Sequence, residues 1–342
     1  MKSNLLSAPN LAGLKKARVL RPDELVRSYH LQPGTGLPLV ISPNIERLEL
    51  VPWAASHRDY IQKMVLNHGG LLFRNFHIAG AEGFYAFVAA AAGEPLEYVE
   101  QTSPRHKVHG NIYTSTEYPA EQRIFLHNEN SYSSTWPLKI LFFCTIAPEQ
   151  GGETPIADIR GVTSRIPVEI REAFAQKGWM LVRNFGTGFG LSWQTAFQTS
   201  EPEEVTRRCQ QSGIHTEWLS RNQLRIRQRR PAFAKHPHTG EQLWFNHATF
   251  FHISTLDPKI REGLVSEFAE EDLPYNTYYG DGSPISLKTM ELLRQAYETE
   301  TVKFSWQKDD LLLLDNMLVA HGRAPFSGPR QILVAMTEPH SA

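Results

Sequence analysis

His127 and Glu129 close one apolar run, Arg123-Ile-Phe-Leu-His127, while His321 follows another, Leu311 to Ala320, about 190 residues further along the chain. This separation constrains the fold more than any other feature. Two imidazoles and one carboxylate can hold one face of a ferrous ion and leave the opposite face open. They can do so only if the fold brings together strands far apart in sequence. Residues i and i+2 of a strand face the same way, so the spacing predicts His127 and Glu129 converging on a rigid edge with Asn128 turned away. Alone, His-x-Glu is a weak signal, because a histidine near an apolar run is more often a hydrogen-bonded core or rim residue. Arg330, nine residues past His321, adds a planar, permanent cation suited to bidentate carboxylate binding. Its plainer reading is a surface arginine after a Gly-Pro turn.

The periodicity supplies strands to build such a site. Leu39 to Val51 is short and strand-like, His57 to His68 and Ala81 to Ala92 read as helices, and the glycines at 69 and 70 introduce a buried strand to Phe76. Arg123 to His127 and Leu138 to Cys144 are strands, the second bounded by Pro137 and Pro148. Helices follow over Pro167 to Gly178, Glu201 to Gln211, Pro258 to Phe268 and Leu287 to Glu298, with strands at Trp179 to Asn184, Leu224 to Arg230 and Gln242 to Phe245. Phe304, Leu311 to Leu314 and Gln331 to Met336 supply closing strands. Many short strands with helices around them indicate an α+β protein with a largely antiparallel sheet core. No regular βαβ alternation and no glycine-rich nucleotide loop is present. Residues 1–342 read as one catalytic domain, with the first forty as a poorly structured lead-in. The stretch between the two histidines is too long for a bare barrel, so about 160–300 is expected to hold a helical insertion covering the site as a lid.

Composition removes several function classes. The formal net charge of −1 gives no reason to expect nucleic acid or an anionic membrane as partner. No apolar run approaches a membrane span, and the N-terminal stretch lacks a signal-like core, so a cytoplasmic protein is expected. Cys144 and Cys209 are too few for a disulfide framework or thiolate cluster. His236, His238, His247 and His252 fit no compact metal motif and read as structural or substrate-side residues.

Chain context sharpens the metal reading. Ile112-Tyr-Thr-Ser-Thr-Glu-Tyr-Pro119, Phe125 to Tyr132, Gly151-Gly-Glu-Thr-Pro155 through Asp158, Arg183 to Gly190, Trp244-Phe-Asn-His247 and Asp315 to Met336 occur in one order. In these stretches the sequence resembles the taurine dioxygenase-like superfamily of iron(II)/2-oxoglutarate dioxygenases, including its clavaminate synthase branch. The nearest likeness is to the syringomycin-biosynthesis hydroxylase-like group. It covers roughly Gly70 to Met336.

The resemblance implies a double-stranded β-helix, or jelly roll, with His127, Glu129 and His321 as iron ligands. It assigns Arg330 to the distal carboxylate of 2-oxoglutarate with Thr154 as hydroxyl partner; an ordinary turn threonine is the alternative. Much of the superfamily has Asp where this chain has Glu129, whereas the clavaminate synthase branch resembles this chain in having Glu. The carboxylate also favours hydroxylation over halogenation, since related halogenases put a small residue there. Asn128, Asp315 and Asn316 are candidates to support the ligands or merely the backbone, and Arg323 reads as a rim residue or internal ion pair. The implied reaction takes O2 and 2-oxoglutarate to succinate and carbon dioxide while a substrate C–H bond is hydroxylated. An amino acid or aminoacyl group of specialised metabolism, free or tethered to a carrier protein, is the expected substrate. A free organic acid, desaturation and epoxidation are the near alternatives. Candidate substrate contacts are Arg105, Asn130, Tyr132, Phe189, Trp193 and Asn246, against the blander reading of lid packing. Arg225, Arg227, Arg229 and Arg230 fit an acidic carrier or, more simply, a solvated strand face. A homo-oligomer is compatible with the sequence. A mononuclear metal hydrolase and a non-catalytic jelly-roll binding protein remain as readings from other classes.

Overall fold

The computed structural model describes residues 22–32, 34–46, 48–97 and 105–341. Two sheets form the jelly roll. The larger runs in the order Val26–His30, Leu39–Pro43, Gly70–Phe73, Leu311–Asp315, Thr135–Ile146, Gln331–Ser341, Ile112–Thr114, Lys107–His109. The smaller runs Thr301–Val302, Ile156–Asp158, Val319–Arg323, Ile124–His127. Leu39–Pro43 and Gly70–Phe73 pair in parallel, whereas the strands that carry the site pair antiparallel.

The long apolar runs have a simple cause: the central strands of the larger sheet are buried on both faces. Alternate residues part to opposite sides. Leu71, Phe73, Leu141, Phe143, Leu311 and Leu313 share a core with the helices Leu50–Ser56, Arg58–His68 and Gly80–Ala92. Leu72, Ile140, Phe142, Leu312, Leu314 and Val334 belong to the second core, with Ile156, Ala157 and Val319 of the smaller sheet. Each such fully buried side chain contributes about 1.5–3 kcal/mol. Moving any of these strands by one residue would exchange its two faces, so the register that pairs the site strands is strongly specified.

The insertion leaves and re-enters at one place. Ala157 lies opposite Thr301, so the chain departs from the smaller sheet after Asp158 and comes back beside the strand it left. Between them an antiparallel sheet is ordered Ile214–Trp218, Leu224–Arg230, Trp179–Phe185, Tyr275–Tyr279. The helix Pro202–Gln211 covers it with Val205 and Cys209, making a small third core with Phe185, Trp193, Leu224 and Ile226. The return helix Leu287–Thr299 buries Met290, Leu293, Ala296 and Tyr297 at helical spacing, and the Ser286 hydroxyl caps it by accepting from Thr289 N–H. Gln228 Nε2 donates to the carbonyl of Tyr132 at 2.7 Å, tying the inserted sheet to the loop after His127.

Several expectations need correction. Residues 1–21 of the lead-in lie outside the described residues, but Val26–His30 is a strand paired along its length with Leu39–Pro43. Only Val26 of it is buried, and an edge strand with one inward residue has little apolar signal. The strand-like stretch from Leu39 stops at Pro43, and Leu50–Ser56 is a helix. Pro137 does not bound its strand; it sits inside Thr135–Ile146 opposite Pro339. The neighbouring Leu311–Asp315 pairs only from Lys139 onward, so the N–H that proline lacks faces no second partner there. Phe304 is buried core outside any strand. The arginine run is mostly internal: Arg225 bonds Asn184 Oδ1 at 2.8 Å and Asp272 at 2.6 Å, and Arg227 pairs Glu217 at 2.7 Å. Arg230 donates to the carbonyl of Ser212 at 2.8 Å. Only Arg229 of the four is exposed.

Candidate metal centre

His127 is the last residue of Ile124–His127 and stands opposite His321 of Val319–Arg323 in the antiparallel register. Their ring centroids lie 4.5 Å apart. The fold thus places side by side two residues from distant parts of the chain. Glu129 is not on the strand, as the i, i+2 argument supposed, but in the turn that follows it. The turn is held by asparagines. Asn316 Oδ1 accepts from Glu129 N–H at 2.7 Å, and Asn316 Nδ2 donates to the carbonyls of Glu129 and Pro137 at 2.9 and 2.8 Å. Asn128 Nδ2 donates to the Asn316 carbonyl at 2.6 Å. Both asparagines therefore fix the backbone of the turn. Asp315 acts beneath them: it accepts from Lys139 at 2.7 Å, from Met317 N–H at 3.0 Å and from Leu318 N–H at 3.2 Å.

One donor atom from each of His127, Glu129 and His321 lies within 4.8 Å of the other two. His127 Nδ1 faces the Phe125 carbonyl at 2.9 Å and so carries the proton, leaving the Nε2 lone pair for a ligand. His321 Nε2 is 3.8 Å from Glu129 Oε2, and Phe142 packs on its ring at 5.0 Å. Donors about 2 Å from a shared ion have separations of this order, so the set fits a divalent cation with minor side-chain adjustment. Burial lowers the pKa of His127 although Glu129 opposes it, and burial with His127 and Arg105 nearby holds His321 well below the usual histidine range. Both imidazoles are thus neutral near neutral pH, the form that binds metal.

A cleft of about 420 Å³, mouth included, opens beside these residues. Thr154, Arg330 and Arg105 line it together with His127 and His321, and Phe142, Ile332 and Val334 give it an apolar wall. Arg330 Nε donates to the Gly152 carbonyl at 2.9 Å, which aims the guanidinium, and Phe326 lies against it at 5.4 Å. Burial, reinforced by Arg323, pushes its pKa down to about 10, still cationic at neutral pH. No carboxylate stands within ion-pair distance of it among the described residues. Thr154 Oγ1 accepts from Trp306 Nε1 at 3.1 Å, which leaves its own proton for an incoming acceptor. Arg323 lines the cleft and forms no ion pair among the described residues. It donates to the carbonyls of Tyr118, Pro119 and Gln122 and so fixes the loop before Ile124–His127.

The six candidate substrate contacts separate. Arg105 reaches the cleft, but its Nη2 donates to both Glu129 oxygens at 3.0 and 3.1 Å; the preceding Ser103 and Pro104 lie outside the described residues. Asn130 adopts a positive φ of 56° in the turn and accepts from the Tyr132 hydroxyl at 3.2 Å. Tyr132 packs edge-on against His247 at 5.0 Å, near the centre. Phe189 is exposed on a loop of the insertion, and Trp193 is buried in the third core against Trp218. Asn246 is buried and bonds only backbone, the Ala232 carbonyl at 2.8 Å and Ala248 N–H at 2.9 Å. Trp193 therefore packs within the inserted segment, Phe189 is an exposed loop residue and Asn246 a loop brace. Two more residues stand near the donor set: Phe250, which the sequence did not single out, and His247, expected as a structural or substrate-side residue. The Phe250 ring lies tilted 4.7 Å from that of His127, and His247, 5.6 Å from it, shares a 2.6 Å hydrogen bond with Ser131 Oγ. The aromatic cluster at Thr249 to His252 was the available signal, but nothing in it indicated which way the insertion folds back.

The model of the taurine catabolism dioxygenase TauD, TfdA family matches residues 31–337. The chain belongs to that family. It is a dioxygenase, an oxidoreductase that works with iron(II), 2-oxoglutarate and O2, and the hydrolase and binding-protein readings fall away. Among TauD/TfdA relatives, the dapdiamide synthesis protein DdaC of Enterobacter agglomerans is 42% identical over 279 residues, covering 82% of this chain and 85% of that protein. A clavaminate synthase-like protein of Arabidopsis thaliana is 28% identical over 291 residues, 82% of this chain and 85% of that one. PvcB of Pseudomonas aeruginosa superposes with a TM-score of 0.57 at 16% identity over 95% of both chains. A second PvcB structure, of an Fe, alpha-ketoglutarate-dependent oxygenase from an isonitrile synthetic pathway, gives 0.55 at 15% identity, covering 95% and 96%. These likenesses support the jelly-roll assignment.

Proposed function

We propose that this dioxygenase hydroxylates an unactivated C–H bond of an amino acid or aminoacyl group in specialised metabolism. In this reading His127, Glu129 and His321 hold the iron, and Arg330 with Thr154 hold the far carboxylate of 2-oxoglutarate. The carrying observation is the convergence of the three donor atoms beside a cleft that is also lined by Arg330, a half-buried arginine with no carboxylate within ion-pair distance among the described residues. DdaC is named for dapdiamide synthesis and PvcB for an isonitrile pathway, which favours a biosynthetic substrate.

Iron(II) with 2-oxoglutarate supplies the oxidation, dividing O2 between succinate and the hydroxylated product. The chain's own residues bind, orient and exclude water. Arg330, aimed by the Gly152 carbonyl, offers its fork to a carboxylate, and the Thr154 hydroxyl donates a second bond. Phe142, Ile332 and Val334 keep the adjoining wall dry. Residues about 160–300 act as a lid, bringing His247 and Phe250 against His127. A small metabolite enters between lid and jelly roll, either free or presented by a carrier.

Anaerobic addition of iron(II) and 2-oxoglutarate to the protein should raise a weak visible charge-transfer band, lost in Glu129→Ala and in His127→Ala. Retention of the band and of wild-type iron affinity in both variants would sink the ligand assignment. Succinate release stimulated by free or carrier-bound amino acids then identifies the substrate class; stimulation only by non-amino organic acids would overturn it.

A further inference from the structure

The sequence reading groups Arg105 with the substrate contacts; its geometry ties it to the metal ligand. A single nitrogen, Nη2, lies 3.0 Å from Glu129 Oε1 and 3.1 Å from Oε2, with Thr116 Oγ1 at 3.5 Å. Both side chains are about 5% exposed, so neither solvent nor salt screens the pair. Asn316 holds only the backbone of Glu129. The carboxylate itself is oriented by Arg105 and faces His321 Nε2 at 3.8 Å.

We propose that Arg105 is a positioning residue for Glu129 and a counter-charge against which a divalent ion binds. The inference rests on Glu129 being a metal ligand, as argued above. Glutamate has one methylene more than aspartate, and a donor shared between its two oxygens restrains the extra torsion. The same guanidinium cancels the carboxylate's charge. An arriving 2+ ion therefore meets a carboxylate already balanced by a fixed cation. An incoming dianion, such as the dicarboxylate cosubstrate, supplies the missing balance. Metal binding is accordingly weak alone and strengthened by the anion.

The test is Mn(II) binding to the full-length protein without 2-oxoglutarate, followed by electron paramagnetic resonance, with melting temperature as a check on folding. Arg105→Gln keeps a donor but removes the charge and should bind Mn(II) about tenfold more tightly than wild type. Arg105→Lys keeps the charge and should bind like wild type. Adding 2-oxoglutarate should tighten Mn(II) binding less in Arg105→Gln than in wild type. Unchanged or weaker affinity in Arg105→Gln, or equal shifts in the Gln and Lys variants, would overturn the proposal. So would a raised substrate KM with unaltered Mn(II) affinity, which places Arg105 on the substrate. Failure of the underlying reading looks different: wild type and Glu129→Ala would then bind Mn(II) equally.

Discussion

At the scale of single residues, the cleft separates two kinds of arginine, Arg323 buried and Arg330 half-buried. Arg323 has three backbone carbonyls as acceptors, whereas Arg330 has one, on Nε. A half-buried cation whose fork meets no carboxylate among the described residues is matched to an external one. Arg330→Ala should raise the KM for 2-oxoglutarate about 30- to 100-fold, the equivalent of a lost charge-assisted bond worth about 2–3 kcal/mol, while Mn(II) affinity stays within about twofold. Steady-state kinetics paired with metal titration checks this, and an unaltered KM would remove Arg330 from the cosubstrate site. Thr154→Val, which deletes a neutral donor, should cost less, about tenfold in the same KM.

At the scale of elements, the site depends on how closely Ile124–His127 and Val319–Arg323 approach. Gly322 sits beside His321, where a Cβ would come within 2.6 Å of the Ile124 carbonyl oxygen. The obstacle is backbone, not a movable side chain. Gly322→Ala should therefore push the two strands apart, lowering stability by about 1–3 kcal/mol and weakening Mn(II) binding because His321 moves with its strand. Chemical denaturation and metal titration on one sample measure both. A variant that loses neither would mean the strand pair tolerates a displacement that the register argues against. Glu129 belongs at this scale too: alternation along a strand brought it beside His127, but the chain had already turned, and Asn128 and Asn316 set its place.

Across the whole molecule, one buried network links the jelly roll to the insertion. Asp315, at the end of a central strand, pairs with Lys139 at 2.7 Å and receives His236 of the inserted hairpin at 3.2 Å, all three fully buried. His236 Nδ1 accepts from His238 and Thr239 N–H, so its proton sits on Nε2, facing Asp315. Burial alone would raise the Asp315 pKa, but Lys139 and His236 outweigh it and hold the carboxyl below the ordinary range. The sign follows: the stabilisation is fully present above the unfolded value of about 3.9 and is lost as pH falls through the lower folded value. Asp315→Asn leaves the buried Lys139 with only the more distant Glu338 Oε2, at 4.0 Å, and should cost about 3 kcal/mol near neutral pH. Urea melts from pH 7 downward should show that difference persisting to about pH 5 and shrinking below about pH 4. A difference that grows on acidification would contradict the pairing.

The strand framework and the proposed metal ligands can be read from the order of the amino acids alone. Runs such as Leu311 to Leu314 and Ile140 to Cys144 are apolar on both faces, and that pattern is legible without coordinates because burial acts residue by residue. His127, Glu129, His321, Thr154 and Arg330 were legible through the order of their motifs, not through any single spacing. Contacts between elements are set by the folded chain instead. Asn246 and Trp193 look like ligand contacts in a line of letters, yet one braces a loop and the other fills a core. Phe250 reaches His127 only because an insertion that leaves the smaller sheet at Asp158 folds back over it. Arg105 and Glu129 are more than twenty residues apart, and nothing local announces their pairing. Hydrophobic periodicity is a property of neighbouring residues, whereas the partner of a charge is chosen by the packing of the whole chain.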